Sequence, residues 1–367
     1  MNRFDPHLLL DLPGYPEHGY ARLADRIRHL LATSADILFV QAEAAFALEA
    51  VATSLARPGL TAVNVVTSRY GRWFGAWLRR GGVSVHDVTA APGQAIALDA
   101  VEACAAELER VDIVAAVHAE SSTGALNPIA GLAALARAHD ALFAVDAVAS
   151  VGGHPLELDA LGIDVAVIGP QKALAGPAGV SAVAVGARAW AQIEAAPDFA
   201  PSGLSLAALR RDWLQRDRGL LPGSPSALEF WALEAALDRI EAEGIARMVA
   251  RHAQAARASR AALRALGVTP WIAHDDDASA LVTAAPVPPG VDPLALISHA
   301  RRHGVELAPG SGEIAGQIVR LDHTGLRATA DAVHANLVAY GCALEQQRYP
   351  VDLDAAGQAI ADAYAGE

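Results

Sequence analysis

The stretch DVAVIGPQKALAGPAGV (164–180) joins a short apolar run to a lysine in a turn rich in glycine and proline. The run DVAVIG has the length and the β-branched content of a buried strand. Lys172 follows it where a charged side chain is costly to bury unless something uses it. Desolvation and nearby cations lower a lysine pKa, and the neutral amine can then condense with an aldehyde. The alternative for such a lysine, taken alone, is that its side chain extends from the loop into solvent and has no chemical role.

Six other apolar runs resemble this one, and helical patterns lie between most of the seven. The predicted strands are 36–41, 61–66, 83–88, 112–118, 141–146, 164–169 and 180–185, and the predicted helices are 44–55, 71–80, 97–108 and 131–138. Apolar strands that alternate with helices predict an α/β fold with a mostly parallel seven-stranded sheet covered on both faces. Ligands of such sheets bind beyond the carboxyl ends of the strands.

The pattern changes beyond about residue 222. A long helical stretch, 226–266, is interrupted only by Gly244, and it is followed by predicted strands at 280–284 and 317–321 and helices at 293–302 and from 327 onward. A chain of 367 residues is longer than most single domains. We therefore expect a large α/β domain over 15–240, a smaller C-terminal α+β domain over 241–367, and an N-terminal segment over 1–14.

Composition excludes several functions. The formal net charge of −13 disfavours binding to nucleic acid or to anionic membranes. Cys104 and Cys342 are far apart in the sequence, which argues against disulfides or a zinc site. The stretch HDDD (274–277) fits a polar turn better than a metal site, so no metal is expected. Without a signal-peptide layout or a long apolar segment, the sequence predicts a soluble cytoplasmic protein.

Two further strand ends carry polar side chains. Asp146 closes the run ALFAVD (141–146), where a carboxylate can hold a pyridine nitrogen protonated. An aspartate that only caps a turn is the alternative. The segment VHAESSTGALNP (117–128) places Ser121 where its hydroxyl can meet the phenolic oxygen of a vitamin B6 ring, although Ser, Thr and Gly are also ordinary turn residues. One strand–helix–strand step separates Asp146 from Lys172, which predicts that both lie at one edge of the sheet.

The segments HAESSTGALNP, VDAVASVGG and GPQKALAGPAG, in this order, resemble the class V aminotransferases of fold type I, over roughly residues 36–341. That group contains alanine–glyoxylate and serine–pyruvate aminotransferases. The resemblance implies a role for each matching residue around a vitamin B6 ring. Lys172 forms the Schiff base, Asp146 pairs with the pyridine nitrogen, Ser121 approaches the ring hydroxyl, Val148 and Tyr70 cover the two ring faces, and Gln171 flanks the ring. Arg320 binds the substrate carboxylate, a task suited to a bidentate guanidinium. Ser224 and Ser226 reach a neighbouring subunit's site, which implies a homodimer or homotetramer.

One departure concerns the turn after the first strand, VQAEAAFALEA (40–50). Members of the family hold the cofactor phosphate there with backbone N–H groups of a turn rich in Gly, Ser and Thr. In this chain Glu43 occupies the turn, and a carboxylate beside a sheltered phosphate is repulsive. It can instead accept a hydrogen bond from a neutral hydroxymethyl group. A glutamate that only stabilises the start of a helix is the alternative.

This departure resembles the subgroup of pyridoxamine–pyruvate aminotransferases, whose substrates are unphosphorylated pyridoxamine and pyridoxal. The resemblance implies an aminotransferase with free pyridoxamine as donor and pyruvate or a similar 2-oxo acid as acceptor, giving pyridoxal and L-alanine with no tightly bound cofactor. The alternatives are a conventional class V aminotransferase or lyase with pyridoxal 5′-phosphate (PLP) as cofactor, and a catalytically silent B6-binding protein. Ser311 stands where the subgroup has an arginine, so the acceptor stays open. LPGYP (12–16) stands where a Gly-Pro substrate loop is expected.

Overall fold

The larger of two sheets carries the strands predicted from the apolar runs. The computed structural model describes residues 12–195 and 202–365, so the predictions for 1–11 and 366–367 lie outside the described residues. The seven strands are β1 (Asp36–Val40), β2 (Thr61–Val66), β3 (Ser84–Thr89), β4 (Ile113–Val117), β5 (Leu142–Asp146), β6 (Val165–Ile168) and β7 (Ser181–Val185). Their order is β1-β7-β6-β5-β4-β2-β3. Only β7 runs antiparallel to its neighbours, which confirms the mostly parallel sheet.

Helices cover this sheet, as continuous apolar strands require. They are α1 (Gly19–Leu30), α2 (Ala44–Leu55), α3 (Arg69–Arg80), α4 (Leu98–Ala106), α5 (Ile129–Ala138), α6 (Leu158–Leu161), α7 (Ala187–Glu194) and α8 (Leu206–Leu209), the last continued by a π-helical turn at Arg210–Leu214. Strands β4, β5 and β7 are buried at every position, whereas edge strand β3 is half-buried to exposed. Helix α3 begins where the Ser68 side chain accepts from the Tyr70 N–H, a common helix cap.

The predicted long helix after residue 226 is two helices, α9 (Ala227–Glu243) and α10 (Ile245–Ala265). They separate at Gly244, whose φ of 84° is one that glycine adopts at little cost. A three-stranded antiparallel sheet follows, with β10 (Ile318–Asp322) between β8 (Val282–Pro286) and β9 (Ala308–Pro309). The remaining helices are α11 (Pro293–Arg302), α12 (Ala330–Glu345) and α13 (Leu353–Ala365).

Two hydrophobic clusters underlie the two sheets. The larger contains Met248, from the beginning of α10, and the smaller contains Ala255, from further along the same helix. Helix α10 therefore belongs to both clusters, and the domain limits 15–240 and 241–367 stay a prediction. In the HDDD stretch, Asp275 forms ion pairs with Arg260 and Arg264. Within 12–195 and 202–365, no group of His, Cys, Asp or Glu side chains is arranged to hold a metal ion, and no helix is long and apolar enough to cross a membrane.

Candidate active site

The predicted residues meet where β4, β5 and β6 end. Parallel pairing sets Asp146 of β5 opposite Val117 of β4 and Val167 of β6, so the segments that follow these strands lie side by side. Two cavities open there. The first cavity is lined by residues that include Glu43, Tyr70, Glu120, Ser121, Asp146, Val148 and Lys172. The second cavity is lined by residues that include Ser121, Gln171, Lys172, Arg320 and Asp322. Because Ser121 and Lys172 line both, the two cavities adjoin.

Asp146 is a buried carboxyl, 9% exposed, at the floor of the first cavity. Its Oδ1 accepts a hydrogen bond of 2.9 Å from the Val148 N–H. Burial raises the pKa of Asp146 to about 6 against the opposing effects of that N–H and of Lys172, and Glu43 raises it further. A carboxylate in such surroundings gains from a positively charged partner in the cavity.

Lys172 lies in the turn after β6 and is half-buried. Burial lowers its pKa, and the nearby Arg320 guanidinium lowers it further, against the opposing charges of Asp322, Glu43 and Asp146. Both effects favour the neutral, nucleophilic amine. Lys172 is also the only lysine in the sequence, a signal of function that spacing alone does not reveal.

Glu43 is the N-terminal cap of α2. Its Oε2 accepts from the Ala45 N–H at 2.9 Å, and its Oε1 accepts from the Gln171 side-chain amide at 3.1 Å. The carboxylate therefore occupies the helix start, where backbone N–H groups point outward and favour an anion. The structural and functional interpretations of Glu43 are compatible, because the capping carboxylate also lines the first cavity.

Arg320 reaches the site from the smaller sheet. Its Nη1 donates to the Ser121 carbonyl at 3.0 Å, which joins β10 to the loop after β4. Its Nε is buried and has no hydrogen-bond partner among the described residues. The bond from Nη1 fixes the guanidinium, and its Nε–H can donate a hydrogen bond to an anionic partner.

Tyr70 and Val148 supply apolar surface to the first cavity. Tyr70 belongs to α3, and the guanidinium of Arg69 stacks over its ring at 5.1 Å from the centroid. Val148 is buried, and its Cγ1 packs so closely on Gly169 that a side chain at that position would collide with it. The stacking role expected of each is open to test.

Other predicted residues lie elsewhere. Ser224 and Ser226 are exposed and line neither cavity, and their intersubunit role stays a prediction. Ser311 lines a separate cleft beside Arg72 and Glu313, which form an ion pair. In the LPGYP segment Tyr15 packs in an aromatic cluster against Phe230 of α9, so this segment lines neither cavity.

Glu120 lines the first cavity and was missed from the sequence. It is 0% exposed, and burial raises its pKa to about 7, with Asp146 adding to the shift and hydrogen bonds from Thr67 and Ser68 opposing it. It stands three residues beyond the end of β4, in the HAESSTG segment that also contains Ser121. The rule that selected Asp146, a carboxylate at a buried strand end, also applies to Glu120.

A half-buried lysine and a buried aspartate line one cavity at the strand ends of this sheet, an arrangement that fits the enzymes of fold type I. The family model described as aminotransferase class-V matches residues 16–331, and the chain belongs to this family of transaminases. The chain is 35% identical to a pyridoxamine–pyruvate transaminase of Mesorhizobium japonicum over 331 residues, 89% of this chain and 83% of that protein. It is 29% identical to an alanine–glyoxylate aminotransferase of Callithrix jacchus, over 78% of this chain and 70% of that protein.

Solved structures agree with this assignment. The crystal structure of pyridoxamine-pyruvate aminotransferase from Mesorhizobium loti superposes with a TM-score of 0.91 at 32% identity, covering 95% of this chain and 89% of that chain. Ureidoglycine–glyoxylate aminotransferase from Bacillus subtilis superposes with a TM-score of 0.88 at 24% identity, covering 99% and 95%, and supports the fold alone.

Membership of this family corrects one expectation. The class V fold implies PLP as a bound cofactor, so the expectation of no tightly bound cofactor is wrong. The residues present fit the ring and aldehyde of PLP, because a lysine of lowered pKa and a buried aspartate face the same cavity. The expectation rested on Glu43 alone. A covalent bond to Lys172 and contacts to the ring can hold such a group whatever faces its phosphate.

Three buried histidines are expected to make the protein less stable as the pH falls. Burial lowers the pKa of His118 to about 3 and that of His154 and His323 to about 4. These side chains are neutral in the folded state and become protonated in the unfolded state below about pH 6.5. The unfolded state then binds more protons, so each histidine lowers the free energy of unfolding by about 1.4 kcal/mol per pH unit as pH falls from 6.5 to its folded pKa.

His154→Gln tests this dependence, because a glutamine oxygen can replace the ring nitrogen that accepts from the Ala280 N–H. We expect the unfolding free energy of this variant, measured by urea titration between pH 6 and 4.5, to be less steep in pH by about 1.4 kcal/mol per unit. The exposed His274→Gln is the matched control and should keep the wild-type slope. Equal slopes for His154→Gln and wild type would show that His154 is protonated in the folded protein.

Proposed function

We propose that this aminotransferase takes free pyridoxamine as amino donor and pyruvate or a similar 2-oxo acid as acceptor, giving pyridoxal and L-alanine. The observation that supports this proposal is a pair of neighbouring hydrogen-bond acceptors, the carboxylate of Glu43 and the side-chain oxygen of Gln171. The Gln171 amide donates to Glu43 through Nε2, so its Oε1 is the free acceptor, and that atom is buried without a partner among the described residues. The similarity to pyridoxamine–pyruvate transaminase of Mesorhizobium japonicum supports the same donor and acceptor.

Acceptors suit a hydroxymethyl group better than a phosphate. A hydroxyl donates one hydrogen bond, which Glu43 or Gln171 can receive. A phosphate monoester carries about −1.5 to −2 charges at pH 7 and offers mainly acceptor oxygens. Next to the Glu43 carboxylate a phosphate would meet like charge, and the Ala45 N–H is already bonded to Glu43, so PLP bound here would be held by Lys172 and by contacts to its ring.

The remaining residues take up the roles that transamination requires. The pyridine ring, when bound, supplies an electron sink. Asp146 holds the proton on the ring nitrogen, and Val148 and Tyr70 fix the plane of the ring. The pyridoxamine amine would first condense with the acceptor carbonyl and release water. Lys172, with its lowered pKa, would then take a proton from C4′ and return it to the former carbonyl carbon, and addition of water would release pyridoxal and the amino acid. The free Nε edge of Arg320 binds the acceptor carboxylate, and the bond from its Nη1 to Ser121 fixes the guanidinium.

A conventional class V reaction, with PLP as cofactor and an amino acid as donor, is the second candidate. The observation that favours it is the match between the ring-binding residues and PLP, together with the similarity to alanine–glyoxylate aminotransferase. The two candidates share Lys172, Asp146 and Arg320 and differ in what Glu43 meets.

Product analysis separates them. Purified protein is supplied with pyridoxamine and pyruvate, and separately with alanine and glyoxylate, and pyridoxal and amino acids are quantified over time. We expect pyridoxal and alanine to form in equal amounts from the first pair. Turnover of alanine with glyoxylate, and none of pyridoxamine, would overturn the proposal in favour of the conventional reaction. Trials of other 2-oxo acids then define the acceptor that Ser311 leaves open.

A further inference from the structure

A second buried carboxyl, that of Glu120, faces the first cavity beside Asp146. The backbone holds its position tightly, since Glu120 N donates to the Ala125 carbonyl at 2.8 Å and Gly124 N donates to the Glu120 carbonyl at 2.9 Å. The side chain is 0% exposed. Fully buried carboxyls are rare unless their oxygens are all bonded or the group is protonated. The hydrogen bonds around Glu120 show which of these applies.

A fixed chain of donors ends on one oxygen of Glu120. Asn127 Oδ1 accepts from the Ile96 N–H at 3.0 Å, and therefore its Nδ2 must be the atom that donates to the Val117 carbonyl and to Thr67 Oγ1, both at 2.8 Å. Thr67 has one hydroxyl proton, which is left to bond Glu120 Oε1 at 2.6 Å. Glu120 Oε1 is thus an acceptor. Glu120 Oε2 is buried and has no partner of hydrogen-bond geometry among the described residues, although the nearby Ser68 hydroxyl lowers the pKa of this carboxyl.

Charge in the cavity favours a proton on that second oxygen. Asp146, Glu43, Tyr70 and Lys172 are the other ionisable side chains that line the cavity, and three carboxylates face one lysine. Two neighbouring carboxyls in a low-dielectric site do not both stay charged, and the one that interacts with a cation keeps the charge. Asp146 has the Val148 N–H and the positive charge of Lys172, whereas Glu120 has the neutral hydroxyls of Thr67 and Ser68 and no cation that lowers its pKa. The higher pKa of Glu120, about 7 against about 6, agrees with this division.

We propose that Glu120 is held as a neutral carboxylic acid whose Oε2–H donates a hydrogen bond into the first cavity, to an oxygen of the bound hydroxypyridine ring. Asp146 then carries the negative charge that faces the ring nitrogen. Glu120 would touch the ligand directly, next to Ser121, and would set which of the two carboxyls is ionised. The inference rests on the proposed function only in taking a vitamin B6 ring as the ligand, which the family shares.

Infrared spectroscopy of the purified protein tests the protonation. At pH 6 the spectrum of wild type minus Glu120→Gln should contain the C=O stretch of a protonated carboxyl, which shifts in D₂O. Thr67→Val removes the donor to Oε1 and should keep this band while moving its titration midpoint to higher pH. Glu102→Gln, at an exposed position of α4, is the matched control and should show no such band. Carboxylate bands alone at pH 6 would overturn the proposal.

Binding of added pyridoxal, followed by absorbance, tests the donor role. Glu120→Gln keeps a neutral donor and should retain affinity within about threefold, whereas Glu120→Leu should lose about tenfold or more. Equal losses in both variants would show that a charged carboxylate is required and would contradict the proposal. Neither measurement depends on turnover. If both give the expected results while pyridoxamine and pyruvate do not react, the proposed function fails and the assignment of Glu120 stands.

Discussion

Replacing Lys172 with alanine is expected to lower the rate of transamination by about 10⁴-fold while leaving the protein folded, because a positioned general base and acid contributes up to about that factor. The half-buried lysine sits in surroundings that disfavour its charged form, so its removal takes away an unfavourable burial. We expect the thermal midpoint of the variant to equal or exceed that of wild type. A loss of activity with unchanged unfolding would separate chemistry from stability.

Because Lys172 is the only lysine, an adduct on a lysine side chain can be assigned to it without ambiguity. One of the 28 Lys and Arg residues is a lysine, so Lys172 carries the only side-chain amine. Borohydride reduction in the presence of pyridoxal should fix one side-chain adduct in wild type, and peptide mass analysis should locate it at Lys172. In Lys172→Ala the side-chain adduct should vanish, leaving only the chain's amino terminus to react. Transamination that continues at the wild-type rate would exclude Lys172 as the proton carrier.

Replacing Glu43 with serine is expected to shift the preference of the site from pyridoxal toward PLP by about 10² to 10³-fold. Two unit charges about 4 Å apart at an effective dielectric of 20 repel by about 4 kcal/mol, and each 1.4 kcal/mol is tenfold in affinity. Serine is among the best helix caps, so it can take over the bond to the Ala45 N–H and keep α2 in place. The variant removes a charge and preserves a cap.

Affinities of pyridoxal and PLP for both proteins, measured by absorbance titration, give the preference as a ratio. Asp292→Ser is the matched control. Asp292 caps α11 by accepting from the Leu294 N–H, away from both cavities, so its replacement makes the same chemical change without touching the site. It should leave the ratio unchanged. An unchanged ratio in Glu43→Ser would assign Glu43 to the helix cap alone and would remove the main support for an unphosphorylated substrate.

Local patterns in the sequence were enough for much of the fold. The strands of the larger sheet, strands β8 and β10, and helix α2 follow from apolar runs and their spacing, whereas the two-residue strand β9 was not predicted. The strand-end rule placed Asp146 and Lys172 at one cavity. Gly244 was visible as an interruption, but whether a glycine bends or ends a helix depends on tertiary packing, and here α9 ends and α10 begins. The final helix α13 was not predicted separately from α12, although Pro350 lies between them and interrupts a helix.

The features of the site that the sequence did not predict are formed by contacts between residues far apart in the chain. The bond between Gln171 and Glu43 joins residues 128 positions apart, and the bond between Arg320 and Ser121 joins residues 199 apart. No periodicity encodes such pairs. Glu120 was missed for a different reason, because Ser, Thr and Gly in its segment are typical of an exposed turn and do not mark the carboxyl beside them as buried. The proton on Glu120 depends on Thr67 and Asn127, which only the folded chain brings together.

The single lysine has a consequence beyond the site. Aldehydes condense with any accessible primary amine, and an enzyme that binds an aldehyde such as PLP is exposed to damage at its own surface. Of the 28 Lys and Arg residues in this chain, all but Lys172 are arginines, which makes 27. A guanidinium stays protonated and resists that condensation. The surface thus keeps its positive charges for ion pairs such as Arg26 with Glu241 while offering reactive carbonyls no competing nucleophilic side-chain amine.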